Sequence, residues 1–419
     1  MNYVEKLFSN TEGKGSEKKK SGISKQKWAI LSISSIPLVM TLGNSMLIPV
    51  LPVLETEMNI SSFQSSLVIT VYSIVAIFLI PIAGYLSDRL GRKKVIIPSL
   101  VLTGIGGFIA GWASWQMDSG YWLLLVGRAL QGAGAAGAFP IVLPLVGDMF
   151  KNEDDVSSAL GMIETSNTLG KVLSPILGSF LAGIIWFLPF LSIPILSLIS
   201  ILLMIFLVKS PKKAEAIPFR DFVKKVKEIF AKNGRWLYAI FFIGIIVMFV
   251  LFGVLFYLSE ILESQYDIKN LKKGLFLALP LGALCLASYI TGKLIKENQV
   301  FMKWISFGGL ALLGASIAAL GLSKDLWYLI SVFLVGAIGI GASLPPLDTL
   351  ITANIDKKQR GTITSIYSSM RFIGVAAGPP IIAVMMKNSE KIVFYMLTGL
   401  SFAAALVILM AIKPTKKGA

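Results

Sequence analysis

The sequence predicts an all-α membrane protein: twelve transmembrane helices in two six-helix bundles. Three observations carry this expectation. Of 419 residues, 55% are hydrophobic and 15% charged, whereas a soluble domain carries about 25% charged residues. Twelve runs reach the roughly 20 apolar residues that cross a bilayer as a helix. The two halves of the chain also align without gaps at one constant offset of 204 residues.

Taken in order, the runs cover 28-54, 63-86, 95-115, 120-146, 157-184 and 187-208, then 236-260, 273-295, 302-322, 326-350, 361-386 and 391-412. Residues 28-208 form the N-terminal bundle and 236-412 the C-terminal bundle. Residues 1-27 are polar and lysine-rich and read as a disordered cytoplasmic tail, with a second short tail at 413-419. Between the bundles, 209-235 reads as a cytoplasmic linker. Within it Phe219, Phe222, Val223, Val226 and Phe230 recur at helical spacing among Arg220, Lys224, Lys225 and Lys227, the pattern of an amphipathic helix lying on a membrane surface.

The net charge of +16 would suggest nucleic acid in a soluble protein. Its placement says otherwise. Thirty Lys and Arg fall on the side of the two tails, six on the other side and three inside spans. Basic loops stay in the cytoplasm, so both termini are expected there, in a bacterial plasma membrane, and no nucleic-acid partner is expected. The chain has no histidine and one cysteine, Cys285, which removes imidazole chemistry, disulfides and most metal sites. No nucleophile-base pair and no phosphate-binding loop is present. Neither an enzyme nor a cofactor or metal is expected.

The repeat rests on particular residues. GYLSDRLGR from Gly84 falls on SYITGKLIK from Ser288. Gly132 and Gly137 fall on Gly336 and Gly341, and GKVLSP from Gly170 falls on GVAAGP from Gly374, so that Pro175 meets Pro379. Duplicated halves of this kind place a substrate site at their interface. The halves differ where Asp88, Arg128 and Gln131 face Gly292, Val332 and Val335.

Charged side chains inside spans sharpen the functional expectation. Arg128, Glu164, Lys171 and Arg371 lie within apolar runs. Each costs about 2.5–3.5 kcal/mol at a helix centre, so they must pair or border water. Glu164 and Lys171 are two helical turns apart on one face, roughly 10 Å along the axis, which argues against a direct ion pair and for a shared cavity. Arg128, Gln131, Glu164, Lys171 and Arg371 are the cavity candidates. Three cations to one carboxylate predict a net positive cavity and an anionic, zwitterionic or neutral substrate. Glu164, then Asp348, with Arg128 beside them, are the proton-coupling candidates, because a buried carboxylate is the natural proton carrier where histidine is absent.

Three strings point to a family. GYLSDRLGRKK, Gly84 to Lys94, resembles motif A of the major facilitator superfamily. GRALQGAGAA from Gly127 resembles motif B of its proton-coupled members, and GKVLSPILGS from Gly170 resembles motif C of its exporters, with Ser174 and Ser179 in place of two glycines. The resemblance covers the whole chain and is to the twelve-span drug:proton antiporters. It implies two bundles rocking about a central cavity, export of small amphipathic molecules and exchange for protons by a monomer in the lipid bilayer. A dedicated exporter of an endogenous metabolite, siderophore or lipid is the alternative within the class, and a non-transporting receptor or scaffold the alternative outside it. The resemblance further implies a conformational latch from Gly84, Asp88, Arg89, Gly91, Arg92 and Asp148. It also implies a helix-packing motif from Gly170, Pro175 and Gly178 with Gly374, Gly378 and Pro379.

Overall fold

A computed structural model describes residues 22–116, 120–150, 153–209, 219–295, 298–355 and 357–412. All regular structure among them is helical. The first span, α1 (Gln26–Met58), has two pieces, Gly22–Ser45 and Leu51–Met58, joined by a 3-10 turn at Ile48–Val50. Pro49 and Pro52 sit at this break, where they withhold N–H groups that a continuous helix needs. There follow α2 (Ser62–Leu90), α3 (Arg92–Gln116), α4 (Tyr121–Met149), α5 (Glu153–Ile184) and α6 (Leu188–Leu207). The second half repeats the series with α7 (Phe219–Ser264), α8 (Asn270–Ile295), α9 (Gln299–Ala319), α10 (Leu326–Asn354), α11 (Lys357–Asn388) and α12 (Glu390–Ala411). Each of the twelve expected spans falls on one helix, the first of them on the broken α1. Among the described residues, eleven are long and apolar enough to cross a membrane. The remaining one, α5, carries Glu164, Asn167 and Lys171 in its middle, and those residues dilute its apolar run.

Local chemistry fixes the helix ends. Ser61 and Gln64 form a capping box at the start of α2. The Asn298 and Asp325 side chains accept the Phe301 and Tyr328 N–H groups at the starts of α9 and α10. Gly91 separates α2 from α3 at φ 106°, a backbone region that side-chain-bearing residues rarely adopt.

The packing is itself duplicated. In the first half α1 packs on α5 and α6, α2 on α4, and α3 on α4 and α6. In the second half α7 packs on α11 and α12, α8 on α10, and α9 on α10 and α12. The register repeats as well. Gly170 on α5 faces Thr41 on α1, and Gly374 on α11 faces Ile245 on α7, both partners shifted by the 204 residues seen in the sequence. Lysines close matching ends: Lys93 Nζ donates to the Ile205 carbonyl in the last turn of α6 and to the Val208 carbonyl just past it, and Lys303 Nζ to the Leu409 carbonyl in the last turn of α12. A cation there meets the negative end of the helix dipole.

The halves meet along α2 with α11 and along α5 with α8, two contacts exchanged by the same six-helix shift. The α5–α8 contact is backbone-close, since a Cβ on Gly274 would stand 2.4 Å from the Pro175 carbonyl. Within its own half, a Cβ on Gly178 would stand 2.0 Å from the Met46 carbonyl, and one on Gly378 2.8 Å from the Phe249 carbonyl. The motif that resembles an exporter signature thus lies where α5 and α11 press on α1 and α7.

Two expectations about the polar segments change. Residues 1–21 and 413–419 lie outside the described residues. The rest of the N-terminal tail is helical from Gly22, with a break at Gln26 (φ −117°, ψ 19°). The segment 209–235 is helical from Phe219, as the amphipathic pattern predicts, and its helix is joined to the seventh span in one 46-residue element, α7. Phe230 packs on Tyr238 and Phe241 of the same helix, at ring separations of 5.2 and 5.8 Å. Phe241 lies eleven residues on, about 16 Å along a straight helix, so this contact requires α7 to bend after Phe230 and folds its polar start, with buried Ile229, against the span.

Candidate functional site

A cavity of about 340 Å³ lies between the two halves. Its wall comes from α1, α2, α4 and α5 of the first half and from the equivalent α7, α8, α10 and α11 of the second; α3, α6, α9 and α12 stand outside it. The lining reaches Leu143, Ile351 and Thr364, near the ends of α4 and α10 and the start of α11 on the face that carries the chain termini. On the opposite face the halves are tied together. Ser259 Oγ donates to the Ile48 carbonyl at 2.9 Å, and Thr70 Oγ1 to the Ala376 carbonyl at 2.7 Å. The passage is therefore closed on one side and extends toward the other.

Four charged residues line the cavity, in two pairs, one from each half. In α5, Lys171 Nζ approaches Glu164 Oε1 to 3.9 Å. This corrects the expectation that two turns of separation keep them apart: the flexible lysine stem spans the axial gap that backbone geometry alone leaves open. Asn167 Nδ2 also donates to Glu164 at 3.2 Å, while its own Oδ1 accepts Thr41 Oγ1 at 2.7 Å. Across the cavity, Arg371 Nη1 lies 3.7 Å from Asp348 Oδ1, bridging α11 and α10. The guanidinium also lies over the Tyr367 ring, 5.6 Å from its centroid. Glu164 acts electrostatically on both Asp348 and Arg371, so the pairs form one field. Glu164 and Asp348 are about half exposed or more, at 64% and 49%, and what exposes them is the cavity.

Arg128 and Gln131 do not belong to this wall. Arg128 is fully buried, at 0% exposure. It donates to the Val68 carbonyl at 2.8 Å, the Gly43 carbonyl at 3.0 Å, Asn44 Oδ1 at 2.9 Å and Gln131 Oε1. The Tyr72 ring covers its guanidinium, 4.6 Å from the centroid. The argument that a membrane charge must border water or meet an opposite charge overlooked a third solution. A guanidinium carries five donors in a fixed fork, and carbonyl and amide oxygens of α1, α2 and α4 accept four hydrogen bonds from it. Arg128 thus stands one layer behind the cavity, holding Asn44 and Tyr72, which do line it. Its removal from the wall also corrects the charge expectation: the lining has two acids and two bases and is balanced, not net positive.

Sequence reasoning missed Asn44, Asn167, Tyr72 and Tyr367, all of which line the cavity. An asparagine inside an apolar run was the available signal for the first two. The aromatic residues carried none, because rings in spans usually face lipid or neighbouring helices.

The motif after α2 also forms a cluster. Arg92 pairs with Asp88, its Nε reaches Asp148 Oδ2 at 3.1 Å, and its Nη1 donates to Ser87 Oγ at 2.7 Å. Arg89 is exposed. The cluster joins α2, α3 and α4 of one half. The approach to the other half lies at Gly84, whose Cβ position would be 3.6 Å from Ser365 Oγ. Asp88→Asn is expected to slow turnover while leaving the melting temperature within the shift that a half-exposed pair of about 1 kcal/mol or less produces. Initial transport rates and a detergent melting curve measure the two effects separately.

The comparisons with known proteins fit this architecture. A model of the Major Facilitator Superfamily matches residues 33–379 and 303–419. The chain is 52% identical over 389 residues to the bacillibactin exporter of Bacillus subtilis (strain 168), covering 92% of this chain and 97% of that one. It is 23% identical over 377 residues to the quinolone resistance protein NorA of Staphylococcus aureus (strain COL), covering 88% and 92%. Among solved structures, a D-xylose-proton symporter superposes with a TM-score of 0.76 at 16% identity, over 93% of this chain and 98% of that one, which is a likeness of fold. The chain belongs to the Major Facilitator Superfamily and is a multi-pass membrane transporter.

Proposed function

We propose that the chain is a dedicated exporter of a siderophore of the bacillibactin kind, which it carries outward by alternating access in exchange for protons. The observation that carries this reading is the 52% identity along nearly the whole chain to an exporter of that molecule. At 23% identity, the likeness to a quinolone resistance protein gives weaker support to broad drug efflux. The cavity suits the reading. Its balanced ion pairs, the hydroxyl and amide groups of Thr41, Asn44 and Asn167, and the rings of Tyr72, Phe139 and Phe252 fit a solute that combines aromatic faces with hydrogen-bonding groups. The chain acts as a monomer in a bacterial plasma membrane, with both termini cytoplasmic by the distribution of its lysines and arginines. The cavity then extends toward the cytoplasm, the side from which an exporter loads. Glu164 and Asp348 are the carboxyls placed to carry the proton.

The test is secretion. A strain lacking the gene is expected to release little siderophore and to retain it inside, and expression of the chain restores release, measured by chromatography of medium and cell extract. Unchanged secretion together with increased sensitivity to quinolones would replace this reading with broad efflux.

A further inference from the structure

Two hydrogen bonds tie the halves on the face opposite the chain termini: Thr70 Oγ1 to the Ala376 carbonyl at 2.7 Å, and Ser259 Oγ to the Ile48 carbonyl at 2.9 Å. All four residues are buried. They lie just beyond the cavity wall. Tyr72 and Val375 line the cavity beside Thr70 and Ala376, and Leu255 lines it one turn before Ser259. The two bonds therefore roof the passage.

Their acceptors share a peculiarity. A helical carbonyl takes its bond from the N–H four residues on, or three residues on in a 3-10 turn. For Ala376 those positions are Pro380 and Pro379, and proline has no N–H. Both helical donors are denied to this carbonyl, and Thr70 supplies one from the other half of the chain. For Ile48 the fourth residue on is Pro52. There the Leu51 N–H reaches the carbonyl, and Ser259 takes the second lone pair, again from the other half. Neither bond repeats the other, since Gly274 stands 204 residues after Thr70 and Glu55 stands 204 before Ser259. Thr70 Oγ1 also lies 3.2 Å from the Ser66 carbonyl of its own helix, a second acceptor at hand when it leaves α11.

We propose that Thr70 and Ser259 are positioning residues of the transport cycle, which clasp the face opposite the termini shut by bonding carbonyls that prolines have stripped of helical donors. With the halves together, the buried Ala376 carbonyl is satisfied across the seam, as buried backbone groups must be. When the halves part, water reaches the Ala376 and Ile48 carbonyls, and Thr70 turns to Ser66. Neither acceptor is left unpaired in either state, so the clasp favours closure without locking it. It operates whichever solute is carried and whichever ion is exchanged.

Distance measurement between spin labels tests this in lipid nanodiscs. Labels at Phe63→Cys and Leu271→Cys sit on exposed positions at the starts of α2 and α8, in different halves, and Cys285→Ser removes the single native thiol. Thr70→Val keeps the shape and removes the donor, so the closed state buries an unpaired carbonyl, and the ratio of long to short distance is expected to rise roughly tenfold. Thr70→Ser keeps the donor and the parent distribution. Ser259→Ala moves the ratio the same way but less, because Leu51 still serves Ile48. Pro380→Ala returns the N–H that Ala376 lacks, so Thr70→Val moves the ratio less in that background than in the parent, a non-additivity that lost packing alone does not produce. Should Pro380→Ala fail to fold, the contrast between Thr70→Val and Thr70→Ser decides the matter. A Thr70→Val distribution like the parent's, a Thr70→Ser distribution like that of Thr70→Val, a larger shift in Ser259→Ala than in Thr70→Val, or an equal effect of Thr70→Val with and without Pro380 would each overturn the proposal.

Discussion

Replacing Arg128 by alanine is expected to destabilise the protein by about 3–5 kcal/mol, the cost typical of removing one member of a buried charged network. The Val68 and Gly43 carbonyls, Asn44 Oδ1 and Gln131 Oε1 would lose their donor. Hydrogen bonds to a charged group contribute about 1.5–3 kcal/mol each, so even partial repair by neighbouring groups leaves a large deficit. Arg128→Lys is expected to rescue only a fraction, because an ammonium presents its donors at one point and cannot reach carbonyls on α1 and α2 together. Thermal denaturation in detergent, followed by size-exclusion recovery, measures both. An Arg128→Ala protein that melts with the wild type would refute the assignment of Arg128 as a structural tie between α1, α2 and α4. Transport is expected to fail with folding, since Asn44 and Tyr72 lose their support.

Glu164→Gln is expected to lose acceleration by an imposed pH gradient by at least about tenfold, or about 1.4 kcal/mol in the driven step, while still binding substrate. The glutamine keeps the size and the contact with Asn167 but cannot take up a proton, and it no longer offers Lys171 a charge. Proteoliposomes with and without a gradient, beside equilibrium binding in detergent, separate the two effects. Intact gradient-driven transport in the variant would move the role to Asp348, for which Asp348→Asn is the matching test.

The spans and the duplication were legible because both follow from rules with little freedom. A helix must be about 20 apolar residues long to cross lipid, and close packing marks Gly170 and Gly374 wherever the chain is repeated. The site was legible only in part. Arg128, Glu164, Lys171 and Arg371 stood out by their cost in lipid, and all but Arg128 line the cavity, as does Asp348, which enters the sequence reading only as a proton-coupling candidate. Their pairing did not follow from axial spacing, since side-chain reach decides it. The acceptors of Arg128 were hidden because backbone carbonyls leave no trace in residue identity. The amphipathic pattern after Phe219 was visible, yet nothing in it announced that the helix would be joined to the span through a bend.

Joining the amphipathic stretch to α7 in one helix has a geometric consequence. At 1.5 Å per residue, the 46 residues of α7 would measure about 69 Å if straight, well beyond the roughly 40–45 Å of a bilayer with its headgroups. The contact of Phe230 with Phe241 shows that it is bent, so the excess length is folded back beside the span and not carried straight out beyond it.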